Sequence, residues 1–290
     1  MTVDQAESLR ELVARRSPAS PSLRVIAVTS GKGGVGKTHL ACNLSVLAAR
    51  AGRRVLLVDA DLGLANADIV LGIAPHHHLG HVLEGSVPLD EVLAEGPEGV
   101  RVLAASTGVQ ELTQLDDAQK LRLVTALDVL EDRFDLIMID CGAGIGDNVL
   151  FFAGAAQEAL LVISPEPTSL TDAYAAVKVL SQQAGVERFS VIVNQAPTAA
   201  HAREVFQKLT RVTDRFLTAR VGLLGHAPRD ENLHRALMAQ RPVVELFPRS
   251  PVSRAMETLT RDLLASAPPP ALQGGLKFLF DRVQRETARA

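Results

Sequence analysis

Between Arg24 and about Leu264, seven short apolar runs alternate with longer stretches of helical hydrophobic spacing. Most of these runs are continuously apolar instead of alternating, which is typical of parallel strands covered on both faces. The pattern therefore predicts an α/β fold with a mostly parallel central sheet and helices on both faces. The predicted strands are Val25–Thr29, Val55–Val58, Val100–Leu103, Leu136–Asp140, Leu160–Ile163, Val191–Asn194 and Val221–Leu224.

A linker and a short helix flank this central domain at each end. The N-terminal segment has apolar side chains at helical spacing, and the serine- and proline-rich residues that follow interrupt it. Three consecutive prolines mark the second linker, which separates the domain from a final helical pattern. The predicted organisation is a helix over 1–16, a linker over 17–23, the domain over 24–265, a linker over 266–274 and a helix over 275–290.

Composition narrows the class of protein. The 290 residues suit one large α/β domain or two small ones, and a net charge of -3 gives no whole-chain attraction to nucleic acid. Cys42 and Cys141 form no CxxC pair, which argues against disulfides and sulfur-ligated clusters. The run His76–His78 has no recognisable ligand spacing, so a loop is favoured over a metal site. With no apolar run as long as a membrane span and no signal peptide, we expect a cytoplasmic protein.

The strongest motif is a phosphate-binding loop. The first strand runs into Gly31-Lys-Gly-Gly-Val-Gly-Lys-Thr38, which fits GxxxxGK[ST] between a buried strand and a helix. Glycines let backbone N–H groups turn onto phosphate oxygens, and the following helix adds its positive end. We expect Lys37 to contact the β- and γ-phosphates and the Thr38 hydroxyl to ligate Mg²⁺. The predicted nucleotide contacts of the loop are Gly31, Lys32, Gly33, Gly34, Val35, Gly36, Lys37 and Thr38.

A second lysine in the loop, Lys32, is unnecessary for binding the nucleotide of its own subunit. In this feature the loop resembles the deviant Walker-A ATPases of the MinD/ParA group, whose fold is the SIMIBI type of P-loop NTPase. In that group the equivalent lysine reaches across a dimer to the partner's phosphates. The resemblance implies an ATPase that uses ATP and Mg²⁺, forms an ATP-dependent homodimer and has both Lys32 and Lys37 as catalytic residues.

Three carboxylates complete the predicted catalytic site. Asp59 and Asp61 follow the second strand and match the family's switch I, which implies that Asp61 orients the attacking water and that Asp59 lies in the second shell of Mg²⁺. Asp140 ends an apolar Walker-B strand, where it is expected to hold Mg²⁺ through water. No glutamate follows Asp140, so the catalytic carboxylate must come from elsewhere, which again favours Asp61. Phosphoryl transfer of this type depends on positioning and electrostatic stabilisation. The glycines of 142–146 would be switch II.

Polar residues at two other strand ends are candidates for the base of the nucleotide. Asn194 ends a strand and Pro228-Arg229-Asp230 follows another, and open parallel sheets bind ligands at these ends. In the family an asparagine and a proline-containing loop at these places hold adenine, which implies contacts from Asn194, Pro228 and Asp230. From the residues alone, Asn194 can equally be an ordinary turn residue.

The resemblance covers residues 24–264 and becomes more specific in three segments. These are Asp61–Asp68, Leu79–Gly85 and the N-terminal DQAESLR of Asp4–Arg10, which resemble the FlhG (FleN) regulators of flagellar number. In that family the N-terminal helix stimulates the GTPase FlhF. For this chain, a flagellar transcription regulator or a basal-body component is a further candidate partner. His39 replaces a threonine of many relatives, which leaves its backbone N–H as the expected phosphate contact. The implied partner-binding residues are Asp4, Gln5, Ala6, Leu9 and Arg10.

The C-terminal segment has the pattern of an interfacial membrane helix. One face carries apolar side chains and other faces carry Lys277, Arg282 and Arg285, whereas Phe278 falls outside the stripe. The alternative is a helix that packs on the domain's own core. The first reading places the protein reversibly at the cytoplasmic membrane, the cell pole included. The predicted membrane residues are Leu276, Leu279, Phe280 and Val283.

Other members of the group are rival interpretations. A MinD-type division-site ATPase shares the ATPase, dimer and membrane helix, but it leaves the DQAESLR segment unexplained. A ParA-like DNA-partitioning ATPase would need a basic dimer surface and no membrane helix, and no specific nucleic acid is expected as a partner. An iron–sulfur carrier is disfavoured by the unpaired cysteines.

Overall fold

A computed structural model describes residues 23–63, 65–105, 115–128, 130 and 132–266. The predicted N- and C-terminal helices, with their partner-binding and membrane residues, lie outside these ranges. Eight strands form one sheet. They are β1 (Arg24–Ser30), β2 (Val55–Ala60), β3 (Ala94–Glu95), β4 (Arg101–Leu103), β5 (Leu136–Ala143), β6 (Glu158–Ile163), β7 (Arg188–Asn194) and β8 (Arg220–Ala227).

The sheet has the strand order β3-β4-β2-β5-β1-β6-β7-β8. Only the β3–β4 pair is antiparallel within the described residues, and the other pairs are parallel. All seven predicted strands are present, whereas the two-residue edge strand β3 was not predicted. The predicted end of the Walker-B strand at Asp140 was wrong, because Cys141 still pairs with Ala60 and Ala143 with Ser30.

Helices cover both faces of the sheet. Along β1, Val25 and Ala27 belong to one apolar cluster, and Ile26 and Val28 belong to the other. A strand that contributes to two cores has no polar face, which explains the continuous apolar runs. The helices are α1 (Lys37–Arg50), α2 (Ala67–Leu71), α3 (Leu79–Glu84), α4 (Leu89–Val92), α5 (Asp117–Asp128), α6 (Asp147–Ala155), α7 (Pro167–Gln183), α8 (Ala199–Phe216), α9 (Glu231–Met238), α10 (Val243–Leu246) and α11 (Pro251–Ala265).

None of the helices in the described ranges is both long and apolar enough to span a bilayer. The two ends of the described chain meet at the start of β1. Arg24 is buried, pairs with Glu158 at 2.6 Å and donates to the carbonyl oxygens of Leu263 and Ser266. A further bond of 3.0 Å joins Arg24 to the Ser266 hydroxyl. The chain therefore enters and leaves the domain side by side, at the end of the sheet away from the phosphate loop.

Candidate functional site

The phosphate loop joins the carboxyl end of β1 to the start of α1. Gly34 and Gly36 have φ of 78° and 88°, a left-handed conformation that favours glycine. Gly31 lies so close to α7 that a Cβ would come within 2.2 Å of the Asp172 carbonyl oxygen. No described side chain caps the first turn of α1. The N–H groups of that turn can therefore bind an anion.

Lys37 and Asp140 form a buried ion pair beneath this loop. The lysine Nζ lies 2.7 Å from Asp140 Oδ1, and both side chains are buried. Burial alone would lower the pKa of Lys37, but the charge of Asp140 and its hydrogen bond outweigh burial and raise that pKa. Burial raises the pKa of Asp140, while Lys37 and the Thr38 hydroxyl partly offset the rise. The pair holds the Lys37 ammonium in a fixed, buried position beneath the loop.

The second oxygen of Asp140 fits a role in holding a hydrated cation. Asp140 Oδ2 is buried and has no hydrogen-bond partner among the described residues. An unpaired buried carboxylate oxygen is costly, so such an atom needs a partner in the working protein. Carboxylate oxygen and a threonine hydroxyl are hard ligands of the kind that Mg²⁺ prefers. Thr38 and Asp140 therefore fit the cation that the sequence predicted.

Asp59 organises the segment that follows β2. Its Oδ1 accepts the Asp61 N–H, and its Oδ2 accepts the N–H groups of Asn66 and Ala67, each at 3.1 Å. Burial and the neighbouring Asp140 raise the pKa of Asp59 to about 7, and the three N–H donors hold it below the value that burial would otherwise give. Asp59 and Asp140 occupy paired positions on adjacent strands, β2 and β5. Two buried carboxylates thus lie side by side under the loop.

Asp61 faces the segment that the sequence identified as switch II. A Cβ built on Gly142 would lie 3.6 Å from Asp61 Oδ1, an ordinary contact distance, so the carboxylate lies against this segment. Asp61 is partly exposed, unlike Asp59 and Asp140. Gly144, at the turn that follows, has φ of 89°. The carboxylate is therefore accessible to a water molecule between the two predicted switches.

Lys32 binds a different set of side chains from Lys37. Its Nζ lies 2.7 Å from Glu166 Oε2 and 3.3 Å from Thr168 Oγ1, at the beginning of α7. The side chain is 40% exposed, whereas Lys37 is 7% exposed. The sequence did not single out Glu166 or Thr168, although their place just after β6 puts them at the ligand-binding edge of the sheet. The two loop lysines thus point to different surroundings.

The residues predicted to hold adenine have other contacts. Asn194 is buried, and its Nδ2 donates to the Val35 carbonyl oxygen at 2.7 Å, which supports the phosphate loop. Asp230 accepts the N–H groups of Asn232 and Val252 and so stabilises the starts of α9 and α11. Pro228 lies between β8 and α9, and is partly buried. An adenine contact from any of these residues stays a prediction.

The histidines have no metal-binding arrangement in the part of the chain that the structure describes. The rings of His77 and His78 pack against His81, with centroids 5.2 and 3.9 Å apart. In the first turn of α1, burial lowers the pKa of His39, so its imidazole is neutral near pH 7. A neutral ring leaves the His39 backbone N–H as the group predicted to meet a phosphate.

Comparison with known proteins identifies the family. The family model described as "ParA: NUBPL iron-transfer P-loop NTPase" matches residues 22–264. Both cysteines of this chain are buried, so it offers no exposed thiol for a metal cargo. The MinD protein of Pyrococcus horikoshii, solved in complex with Mg-ADP, superposes with a TM-score of 0.71 at 29% identity, and the match covers 83% of this chain and 96% of that one.

Two curated relatives match nearly the whole chain. The antiactivator FleN of Pseudomonas aeruginosa is 44% identical over 266 residues, which cover 92% of this chain and 95% of FleN. The flagellum site-determining protein YlxH of Helicobacter pylori is 28% identical over 289 residues, or 97% and 98% of the two chains. This chain is therefore a P-loop ATPase of the MinD/ParA family and belongs to its FlhG (FleN) group.

Proposed function

We propose that this protein is an ATP-switched dimer that regulates the number or placement of bacterial flagella. The observation that carries the proposal is the separation of the two loop lysines. Lys37 is buried on Asp140, where it serves its own nucleotide, and Lys32 is held at the surface by Glu166. The flagellar part is supported by the similarity to FleN and to the flagellum site-determining protein YlxH.

Nucleotide binding would use the backbone of 31–38, the helix start and Lys37. Phosphate oxygens compete with Asp140 for the Lys37 ammonium, which lies 2.7 Å from that carboxylate. Thr38 and Asp140 would hold Mg²⁺, which when bound neutralises charge on the β- and γ-phosphate oxygens. Asp61 then orients a water molecule toward the γ-phosphorus. The residues supply position and charge, and no covalent intermediate on the protein is needed.

Lys32 would act on the nucleotide of the partner subunit. To do so it must leave Glu166 and Thr168, which hold it at an exposed position. Exposed ion pairs contribute about 0–1 kcal/mol, so this exchange costs little compared with a new contact to a polyphosphate. ATP would thus link two subunits, because the Lys32 ammonium of each subunit binds the nucleotide held by the other.

The two appendages would connect this switch to its site of action. We propose that the segment Asp4–Arg10 stimulates the GTPase FlhF and that the segment 275–290 binds the cytoplasmic membrane. The segments join the domain near Arg24 and Ser266, which lie together at the end of the sheet away from the phosphate loop. These attachment points are distinct from the nucleotide edge of the sheet, where the second subunit is proposed to bind.

Complementation of a deletion strain tests the flagellar function. Flagella per cell are counted by electron microscopy, and minicells are scored in the same cultures. The wild-type gene should restore the normal number, whereas Asp61→Ala and Lys32→Ala should not. Lys178→Ala, which changes an exposed lysine on α7, is the matched control. Normal flagellation in the deletion strain together with minicells would instead indicate a MinD-type division function.

A further inference from the structure

The carboxylate of Asp59 is committed to the backbone of the segment that carries Asp61. One oxygen accepts the N–H of Asp61, and the other accepts the N–H groups of Asn66 and Ala67, all at 3.1 Å. The side chain is 1% exposed. One buried carboxylate therefore accepts N–H groups from both ends of the segment between Asp61 and Ala67.

The same contact starts α2. This helix begins at Ala67, and its N-cap residue Asn66 makes no capping bond with its own side chain. The first N–H groups of a helix need acceptors, and an anion at this end is favoured by the helix dipole. Asp59 supplies that acceptor from β2 instead of from the helix's own sequence. The loop is thus fixed at both ends by one residue of the sheet.

We propose, building on the proposed role of Asp61, that Asp59 is a positioning residue that sets the Asp61 carboxylate against Gly142. Asp59 fixes the backbone N–H of Asp61, and the Asp61 carboxylate lies in contact distance of the Gly142 position. On the neighbouring strand, Asp140 has a buried oxygen without a hydrogen-bond partner among the described residues, whereas each oxygen of Asp59 already accepts at least one backbone N–H. The three carboxylates would therefore have separate tasks. Asp59 positions Asp61, Asp61 orients the water and Asp140 holds the cation.

Asp59→Asn separates these tasks because it keeps the shape of the side chain. An amide has one accepting oxygen and one donating nitrogen, so either Asp61 or the pair Asn66 and Ala67 loses its acceptor. A displaced Asp61 should lower kcat at least roughly tenfold, since small misplacements of an orienting group are costly. The KM for ATP should change less than about threefold, and the Mg²⁺ concentration for half-maximal activity should not rise. Asp68→Asn, which changes a carboxylate that accepts the Ile69 N–H, is the matched control on the same helix.

Amide hydrogen exchange measured by NMR tests directly whether Asp59 holds these backbone N–H groups. In the wild type, the amides of Asp61, Asn66 and Ala67 should be protected relative to the exposed Gly63. In Asp59→Asn, protection should fall either at Asp61 or at Asn66 and Ala67, according to which group loses its acceptor. The amides of β5 should keep their protection, which also shows that the variant is folded. Unprotected amides in the wild type would overturn the proposal whatever the variant does.

Kinetics supply the other decisive outcomes. An unchanged kcat in Asp59→Asn, or a low kcat that is restored by raising Mg²⁺, would overturn the positioning role, the latter in favour of a role at the cation. Asp61→Ala, measured alongside, tests the proposed role of Asp61 separately from that of Asp59. Normal turnover in that variant would remove the proposed role of Asp61, while the exchange of the three amides still decides whether Asp59 holds the loop.

Discussion

The Lys37 ammonium lies 2.7 Å from Asp140 Oδ1 in a buried pair at the centre of the site. Removing one partner of such a pair leaves an uncompensated buried charge. We expect Asp140→Ala to lower the free energy of unfolding by about 3–5 kcal/mol and to weaken Mg²⁺-dependent nucleotide binding. Urea unfolding and nucleotide titration with and without Mg²⁺ measure the two effects. Asp90→Ala, which breaks the exposed pair with Arg133, should cost at most about 1 kcal/mol.

A second buried pair joins the two ends of the domain. Arg24→Ala leaves Glu158, which is 1% exposed, without its partner and frees the carbonyl of Ser266. The expected loss in the free energy of unfolding is again about 3–5 kcal/mol, and the double variant Arg24→Met with Glu158→Leu should recover much of it. Thermal unfolding of the three proteins checks this. An Arg24→Ala protein as stable as the wild type would show that the Arg24–Glu158 pair contributes nothing to stability.

The predicted N-terminal helix is testable apart from the domain. A synthetic peptide of residues 1–20 should raise the GTPase rate of FlhF, because the serine- and proline-rich linker separates this segment from the ATPase. Gln5→Ala should abolish the effect, whereas Thr2→Ala, outside the motif, should preserve it. A peptide without effect at saturating concentration would contradict the activator role.

Membrane binding should depend on the number of C-terminal helices. One short amphipathic helix binds a bilayer marginally, and two on one dimer raise the apparent affinity by roughly 10²–10⁴. Co-sedimentation with anionic liposomes should therefore be much stronger with ATP than with ADP. Phe280→Glu should abolish it, while Phe278→Glu, outside the apolar stripe, should have less effect. Equal sedimentation in both nucleotides would reject the valency argument.

The sequence predicted the fold and the phosphate loop because both depend on local patterns. Continuous apolar runs located seven strands, and GxxxxGK[ST] located the loop. β3 was missed because two residues at an antiparallel edge leave no periodicity. The pair of Lys32 with Glu166 joins residues 134 apart in the chain, so only tertiary packing brings them together.

Two side chains have structural contacts that the sequence analysis did not predict. The Asn194 amide donates to the Val35 carbonyl oxygen, a contact between residues 159 apart in the chain that no local pattern predicts, and its adenine contact stays a prediction. Asp230 caps α9. The sequence was sufficient to predict this role, because an aspartate directly before a helical pattern is an N-cap signal. The resemblance to the family instead predicted that Asp230 contacts adenine, and the N-cap signal was not used.

The trans role of Lys32 is the central claim, and light scattering tests it most directly. The Asp61→Ala protein is used as the parent, so that ATP persists during the measurement. With ATP the parent should have twice the mass of one chain, and so should its Lys178→Ala derivative. Adding Lys32→Ala should leave a monomer that still binds a fluorescent ATP analogue with a Kd within about threefold of the parent, since the loop of its own subunit is intact. A Lys32→Ala protein that dimerises with ATP as the parent does would contradict the account.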